Sequence, residues 1–303
     1  MRIYAWLVIL TGCAVAMTAR AAEPALVIAD GFTFDQDVAY GQVSSKQRLD
    51  ILYPSKLKGL HPAVLYIHGG GWGAGDKADD PGMMMDMLNG FAKDGCVALS
   101  INYRLSGEAP FPAAVEDCKL AIRWLRANAA KYGVDVDRIG VVGGSAGGHL
   151  AAMLAVTRVS DGLEGEGGFA EQSSEVQAAI SVSGPTDLQV DMCVSQVESR
   201  YEMVSVFLGG PRDERMPLAK QASPITYARK DIPPLLAIHC KGDKSIDSEQ
   251  SVRLVEALKQ AGAPARILLL EGTNHGSDMA RTEPVLSDVR AFIRETLKPE
   301  PGN

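Results

Sequence analysis

Gly143-Gly144-Ser145-Ala146-Gly147 is the stretch whose reading decides the fold. It follows Arg138-Ile139-Gly140-Val141-Val142, a short apolar run that reads as a buried strand. It precedes Gly148-His149-Leu150-Ala151-Ala152-Met153-Leu154-Ala155, an Ala/Leu-rich run that reads as a helix. A Gly-x-Ser-x-Gly between strand and helix places the serine on a tight, strained turn. The flanking glycines are needed because a Cβ there collides with neighbouring backbone. The hydroxyl then stands clear of the sheet, at the positive end of the following helix. In a chain with 31 glycines the pentapeptide alone is weak evidence. The strand before it and the helix after it give it weight.

Working outward, apolar runs alternate with helical periodicity. Strands are predicted at Pro62–Ile67, Cys96–Ile101, Ile139–Val142, Val176–Val182, Leu235–Ile238 and Ile267–Leu270. Helices are predicted at Met83–Lys93, Ala113–Lys131, Ser251–Lys259 and Pro284–Leu297. Near-continuous apolar strands alternating with helices specify an α/β fold, a mostly parallel central sheet covered on both faces. Phe32–Tyr40 and Arg48–Tyr53 alternate in polarity and read as an antiparallel edge pair. Val159–Ser174, rich in Gly, Glu and Ser, reads as a surface loop. Asp187–Lys230 has little strict periodicity and follows a strand, so it is either a small lid insertion or an ordinary crossover with extra helices.

The N-terminus has the order of an export signal: Arg2, an apolar run from Ile3 to Met17, then Ala19-Arg20-Ala21, with cleavage expected after Ala21. A membrane anchor is the alternative, although the run is short for a span of about 20 apolar residues. Leu10-Thr11-Gly12-Cys13 also resembles a lipobox, in which Cys13 is lipidated. The expected product is periplasmic or secreted. Removing 21 of 303 residues leaves 282, enough for one large domain over residues 22–303. The net charge of −7 becomes −9, because Arg2 and Arg20 leave and no acid does. There is no long basic run, so nucleic acid is not an expected partner. Cys96, Cys118, Cys193 and Cys240 permit disulfides, but three of them sit in apolar or helical runs that equally suit buried thiols.

Serine acyl transfer needs a base, a carboxylate to orient it, and donors for the oxyanion. The chain supplies them in the order Ser, acid, His. Of five histidines, only His275 lies after the later strands, on a Gly-flanked loop following Leu268-Leu269-Leu270. His149, one turn beyond Ser145, reads as a packing residue, and His68 and His239 end strands. For the acid, Asp243 follows the Leu235–Ile238 strand, and Asp247 competes with it. Asp247 or Ser248 better suits the cap of the next helix. For the oxyanion, His68-Gly69-Gly70-Gly71-Trp72 follows the first buried strand, and Gly70, Gly71 and Ala146 are the expected N–H donors. A phosphate loop is the other reading of such glycines, but no Gly-Lys-Ser/Thr follows. Trp72 either contacts substrate or packs in the core.

His68–Trp72, Asn102-Tyr103-Arg104-Leu105, Phe111-Pro112-Ala113-Ala114 and Gly143–His149 together resemble α/β-hydrolases of the hormone-sensitive-lipase type. They are most similar to compact carboxylesterases that include acetylxylan and feruloyl esterases. Gly184-Pro185-Thr186-Asp187-Leu188, Ser223-Pro224 and Asn274-His275-Gly276 extend the resemblance from about Val38 to the last helix. It implies an α/β-hydrolase fold and a serine carboxylesterase with no metal and no organic cofactor. Its substrate would be a small or polysaccharide-linked ester. The resemblance puts Asp243 at the catalytic-acid position, although Asp247 stands where a Pro is common. The large N-terminal cap of lipase-like relatives has no counterpart ahead of the first strand, which makes Asp187–Lys230 the lid candidate and suits short acyl groups or an open, polymer-accessible cleft. Two other readings stand beside the esterase. One is a peptidase of the prolyl-oligopeptidase type, for which no propeller is evident. The other is a non-catalytic module, which the joint presence of Ser145, Asp243 and His275 disfavours. A dienelactone hydrolase would carry Cys at the nucleophile.

Overall fold

The computed structural model describes residues 26–192 and 198–298. In chain order the elements are β1 (Phe32–Ala39), β2 (Arg48–Pro54), β3 (His61–Ile67), α1 (Pro81–Lys93), β4 (Val97–Ile101), α2 (Ala113–Ala127), α3 (Ala129–Tyr132), β5 (Val134–Gly144) and α4 (Ala146–Val156). Then follow β6 (Ala178–Val182), α5 (Glu198–Phe207), α6 (Met216–Gln221), β7 (Leu235–Cys240), α7 (Glu249–Gln260), β8 (Ala265–Leu270), α8 (Gly276–Arg281) and α9 (Val285–Leu297). The eight strands form one sheet in the order β1-β2-β4-β3-β5-β6-β7-β8. The β1–β2 and β2–β4 pairs are antiparallel and all others parallel. This is the α/β-hydrolase architecture, with the expected antiparallel edge pair in place.

The apolar strands are continuous because both faces are covered. In β3, Ala63, Leu65 and Ile67 enter the core on one face, with residues of α2 and α4. Val64 and Tyr66, pointing the other way by the period of two, enter the opposite core with α1 and α9. Helix α9 buries Val285, Val289, Phe292 and Ile293, one stripe at helical spacing. Helix α4 is buried on every side, as its Ala/Leu composition demands.

Strand order places the site. From β3 the chain steps out to β4 on one side, then returns to lay β5 on the other. The C-terminal ends of β3 and β5 are thereby adjacent, with Ile67 paired to Gly143. In open α/β sheets such a reversal opens a crevice at the strand ends.

Two expectations need correction. The helix expected over Ala113–Lys131 breaks at Asn128, whose side chain returns to Trp124 O, and a short turn of helix follows. Strand β5 starts at Val134, ahead of its apolar run, because Val134 pairs with His61 across an irregularity in the ladder. Asp187–Lys230 contains α5 and α6 between β6 and β7. Cys96, Cys118 and Cys240 are buried free thiols. Residues 1–21, Cys13 among them, and Cys193 lie outside the described residues. Among the described residues, no helix is long and apolar enough to cross a membrane.

Candidate active site

The turn at Ser145 is made by backbone in contact with backbone. Ser145 has φ 56° and ψ −122°, a conformation that L-residues rarely hold. Its N–H is tied to Val182 O at 2.8 Å. A Cβ on Gly147 would lie 2.0 Å from Ile67 O, and one on Gly143 would lie 2.3 Å from Gly147 O. These two glycines let the start of α4 press against the ends of β3 and β5 and hold the serine upright between them.

His275 stands at the start of α8, immediately after the loop that leaves β8. Its Nε2 is 2.9 Å from Ser145 Oγ, and its Nδ1 is 2.7 Å from Asp243 Oδ2. Gly276 follows with φ 53°, and a Cβ there would come 2.9 Å from Ser145 Cβ. The loop can therefore approach the nucleophile only with glycine next to the imidazole. Asp243 is buried, and its Oδ1 accepts hydrogen bonds from the N–H groups of Ser245 (2.7 Å) and Ile246 (3.2 Å). Burial opposes its charge, but hydrogen bonds from His239, His275 and the Ser245 N–H outweigh that and hold its pKa well below the usual carboxylate range. Asp247 is elsewhere: its Oδ1 accepts from Glu249 N–H at the start of α7. Ser248 occupies the cap position without a side-chain cap bond.

The loop after β3 carries Gly70 at φ 103° and Gly71 at φ 58°. Gly70 O accepts from Gly73 and Ala74 N–H groups, which closes the turn. Tyr103 donates its hydroxyl to His68 O, and its ring stacks on that of His68 at 4.4 Å. No hydrogen bond among the described residues uses the N–H groups of Gly70, Gly71 or Ala146. All three residues line one cleft of about 320 Å³ with Ser145, His275, Pro185, Met192, Met203, Ser245 and Ile246. Among the described residues, His275 carries the one ionisable side chain that lines it.

Trp72 also borders this cleft but is only 1% exposed. Its ring stacks on Phe207 of α5 at 4.3 Å, and its Nε1 donates to His149 Nδ1 at 3.1 Å. Trp72 thus packs in the core and borders the cleft at the same time. His149 is wholly buried, with Nε2 2.7 Å from Ala222 O, and acts as the expected packing residue.

Sequence reasoning missed His239. It is fully buried at the end of β7, with Nε2 3.2 Å from Asp243 Oδ2. The available signal was a histidine four residues ahead of the acid at a strand end. Among the described residues, no group of three or more His, Cys, Asp or Glu side chains is gathered as a metal site.

A serine hydroxyl held by an imidazole, itself held by a buried carboxylate, can act as a nucleophile with its base in place. Comparison with known proteins agrees with this chemistry. The BD-FAE family model matches residues 49–258. The chain belongs to the BD-FAE family. Like other members of the hormone-sensitive-lipase-like α/β-hydrolases, this BD-FAE chain resembles named esterases. It is 31% identical over 273 residues to the probable carboxylic ester hydrolase LipM of Mycobacterium tuberculosis, covering 87% of this chain and 62% of LipM. It is 33% identical to esterase LipQ of the same organism, covering 81% of this chain and 58% of LipQ. The chain thus spans about three-fifths of the length of these relatives. Among solved structures, a truncated carbohydrate esterase from gut microbiota superposes with TM-score 0.78 at 33% identity, covering 88% of this chain and 98% of that one.

Proposed function

We propose that the protein is an exported serine carboxylesterase that hydrolyses short-acyl or aryl esters. One observation carries this reading: Ser145 Oγ, His275 and Asp243 are linked at 2.9 Å and 2.7 Å beside a cleft whose other lining side chains, among the described residues, are uncharged. His275 Nε2 takes the Ser145 proton as Oγ attacks the ester carbonyl. The oxyanion is held by the N–H groups of Gly70, Gly71 and Ala146, each worth about 3 kcal/mol of barrier. His275 then protonates the leaving alcohol, and water, deprotonated by the same ring, releases the acid. Asp243 keeps the ring's Nδ1–H aimed at itself throughout. A cleft of about 320 Å³ lined by Met192 and Met203 suits small acyl groups. Likeness to a carbohydrate esterase supports acetyl or feruloyl groups on plant polysaccharide as the natural esters.

The test is hydrolysis of p-nitrophenyl acetate, p-nitrophenyl octanoate, methyl ferulate and acetylated xylan by the protein and by Ser145→Ala. Turnover of the short esters that disappears with Ser145 is the expected result. Turnover that survives Ser145→Ala, or cleavage of peptide amides in place of esters, overturns it. Export is tested by the N-terminus of protein recovered outside the cytoplasm, expected at Ala22.

A further inference from the structure

We propose that His239 is a positioning residue for this reaction: from behind the triad, its Nε2–H clamps the Asp243 carboxylate. This rests on the esterase reading above. Asp243 Oδ2 lies between two imidazoles, with His275 Nδ1 at 2.7 Å and His239 Nε2 at 3.2 Å. The second oxygen, Oδ1, is held by the Ser245 and Ile246 N–H groups. The carboxylate is therefore gripped from three directions, and only the bond to His275 takes part in moving a proton.

The surroundings of His239 determine which ring nitrogen carries hydrogen. Its Nε2 also lies 3.1 Å from Ile246 O. That nitrogen meets two acceptors, a carbonyl and a carboxylate, so it must be a donor. Its Nδ1 lies 2.7 Å from Ser251 Oγ on α7. A hydroxyl can donate, so Ser251 completes the ring's bonding with Nε2 protonated. His239 and Ser251 are both fully buried, and water cannot replace either. One chain of hydrogen bonds thus runs from α7 to the nucleophile: Ser251, His239, Asp243, His275, Ser145.

The consequence is mechanical. Asp243 lies on a loop between β7 and α7 and could turn about its χ angles. Single-bond rotation would swing Oδ2 away from His275 and release the imidazole. A misplacement of about 1 Å in such a group can cost about 100-fold in rate. His239 closes that route from inside the fold, where substrate never reaches. The titratable groups around the carboxylate are His239, His275 and the Cys240 thiol.

The experiment compares two amides of different reach. His239→Gln can present an N–H near the Nε2 position, whereas His239→Asn can reach only the Nδ1 position. His239→Gln is expected to keep kcat within about threefold. His239→Asn is expected to lower kcat by about 10- to 100-fold with KM within twofold. The acid limb of its kcat/KM profile should move to lower pH, because a carboxylate that has turned away stabilises the His275 proton less. A structural role alone would affect both variants alike and leave the pH limb in place, and that result overturns the proposal. Ser145→Ala run in parallel separates the two failures: activity surviving it sinks the esterase reading itself. If neither His239 variant folds, 15N NMR of histidine-labelled native protein decides the matter. Protonated Nε2 with bare Nδ1 at His239 is expected, and the opposite tautomer overturns the clamp.

Discussion

The turn at Ser145 and the segment between β6 and β7 face each other across one cleft, and they are built by opposite means. At the turn, main chain touches main chain: the site of a Gly147 Cβ lies 2.0 Å from Ile67 O. Across the cleft, α5 is docked by side chains. Phe207 stacks on Trp72 and meets Phe111 edge-on, and Met203 lies over Gly71, its Sδ 2.1 Å from where a Cβ would sit. Backbone contacts have no rotamer to yield, whereas a thioether can swing aside. The position of the reacting atoms is thus rigidly specified, while the size of the space around the substrate is adjustable.

The largest effects are expected on the rigid side. Gly147→Ala should lower esterase turnover by at least about 1000-fold or prevent folding, measured by thermal melt and ester hydrolysis together. A well-folded, active Gly147→Ala protein would show that the turn is not locked by main-chain contact. Next comes the orienting carboxylate. Asp243→Asn should cost about 10,000-fold in kcat, because an amide facing Nδ1 favours the wrong imidazole tautomer. Asp247→Asn should stay within about threefold, since Asp247 only caps α7. A reversed ranking would mean that His275 takes its orientation from another group.

The same contrast explains what could be read from sequence. Gly143, Ser145 and Gly147 were legible because a strained turn admits few residues. The parallel strands were legible because burial on both faces leaves continuous apolar runs. Ser145, Asp243 and His275 were legible through their order and strand-end positions. Helices α5 and α6 were not, because their anchoring depends on partners far along the chain, such as Phe207 for Trp72. That distance is also why Trp72 could be read two ways. The break at Asn128 was hidden by helix formers on either side of it. His239 was hidden because a polar residue at a strand end reads as exposed, while α7 buries this one.

On the adjustable side, Met203→Ala should leave p-nitrophenyl acetate turnover within about threefold. It should raise the kcat/KM ratio of hexanoate to acetate by about tenfold, the scale set by one or two methylenes in an apolar pocket. An unchanged ratio would place the acyl chain away from α5. Its loss together with acetate turnover would mean that α5 supports the oxyanion loop instead of sizing the cleft.

The smallest effect is expected where the two regions join. His149 belongs to α4, accepts from Trp72 Nε1 and bonds Ala222 O beyond α6. Burial pulls its pKa down from 6.5 to about 4, with the Ala222 bond opposing only in part. Burial lowers the His68 pKa in the same direction. Between about pH 6.5 and 4 the unfolded chain binds the proton that the folded ring refuses. Stability therefore rises with pH through that window and is lost as pH falls across it. At about 1.4 kcal/mol per pH unit, His149 alone accounts for about 3 kcal/mol at the bottom of the window. His149→Gln should be less stable at pH 8 by about 1–3 kcal/mol, because Trp72 loses its acceptor. Its urea-melt stability should nevertheless fall less steeply than that of the native protein between pH 6.5 and 4. Equal slopes would place the acid sensitivity elsewhere. A flatter slope would make this histidine a source of the protein's acid sensitivity.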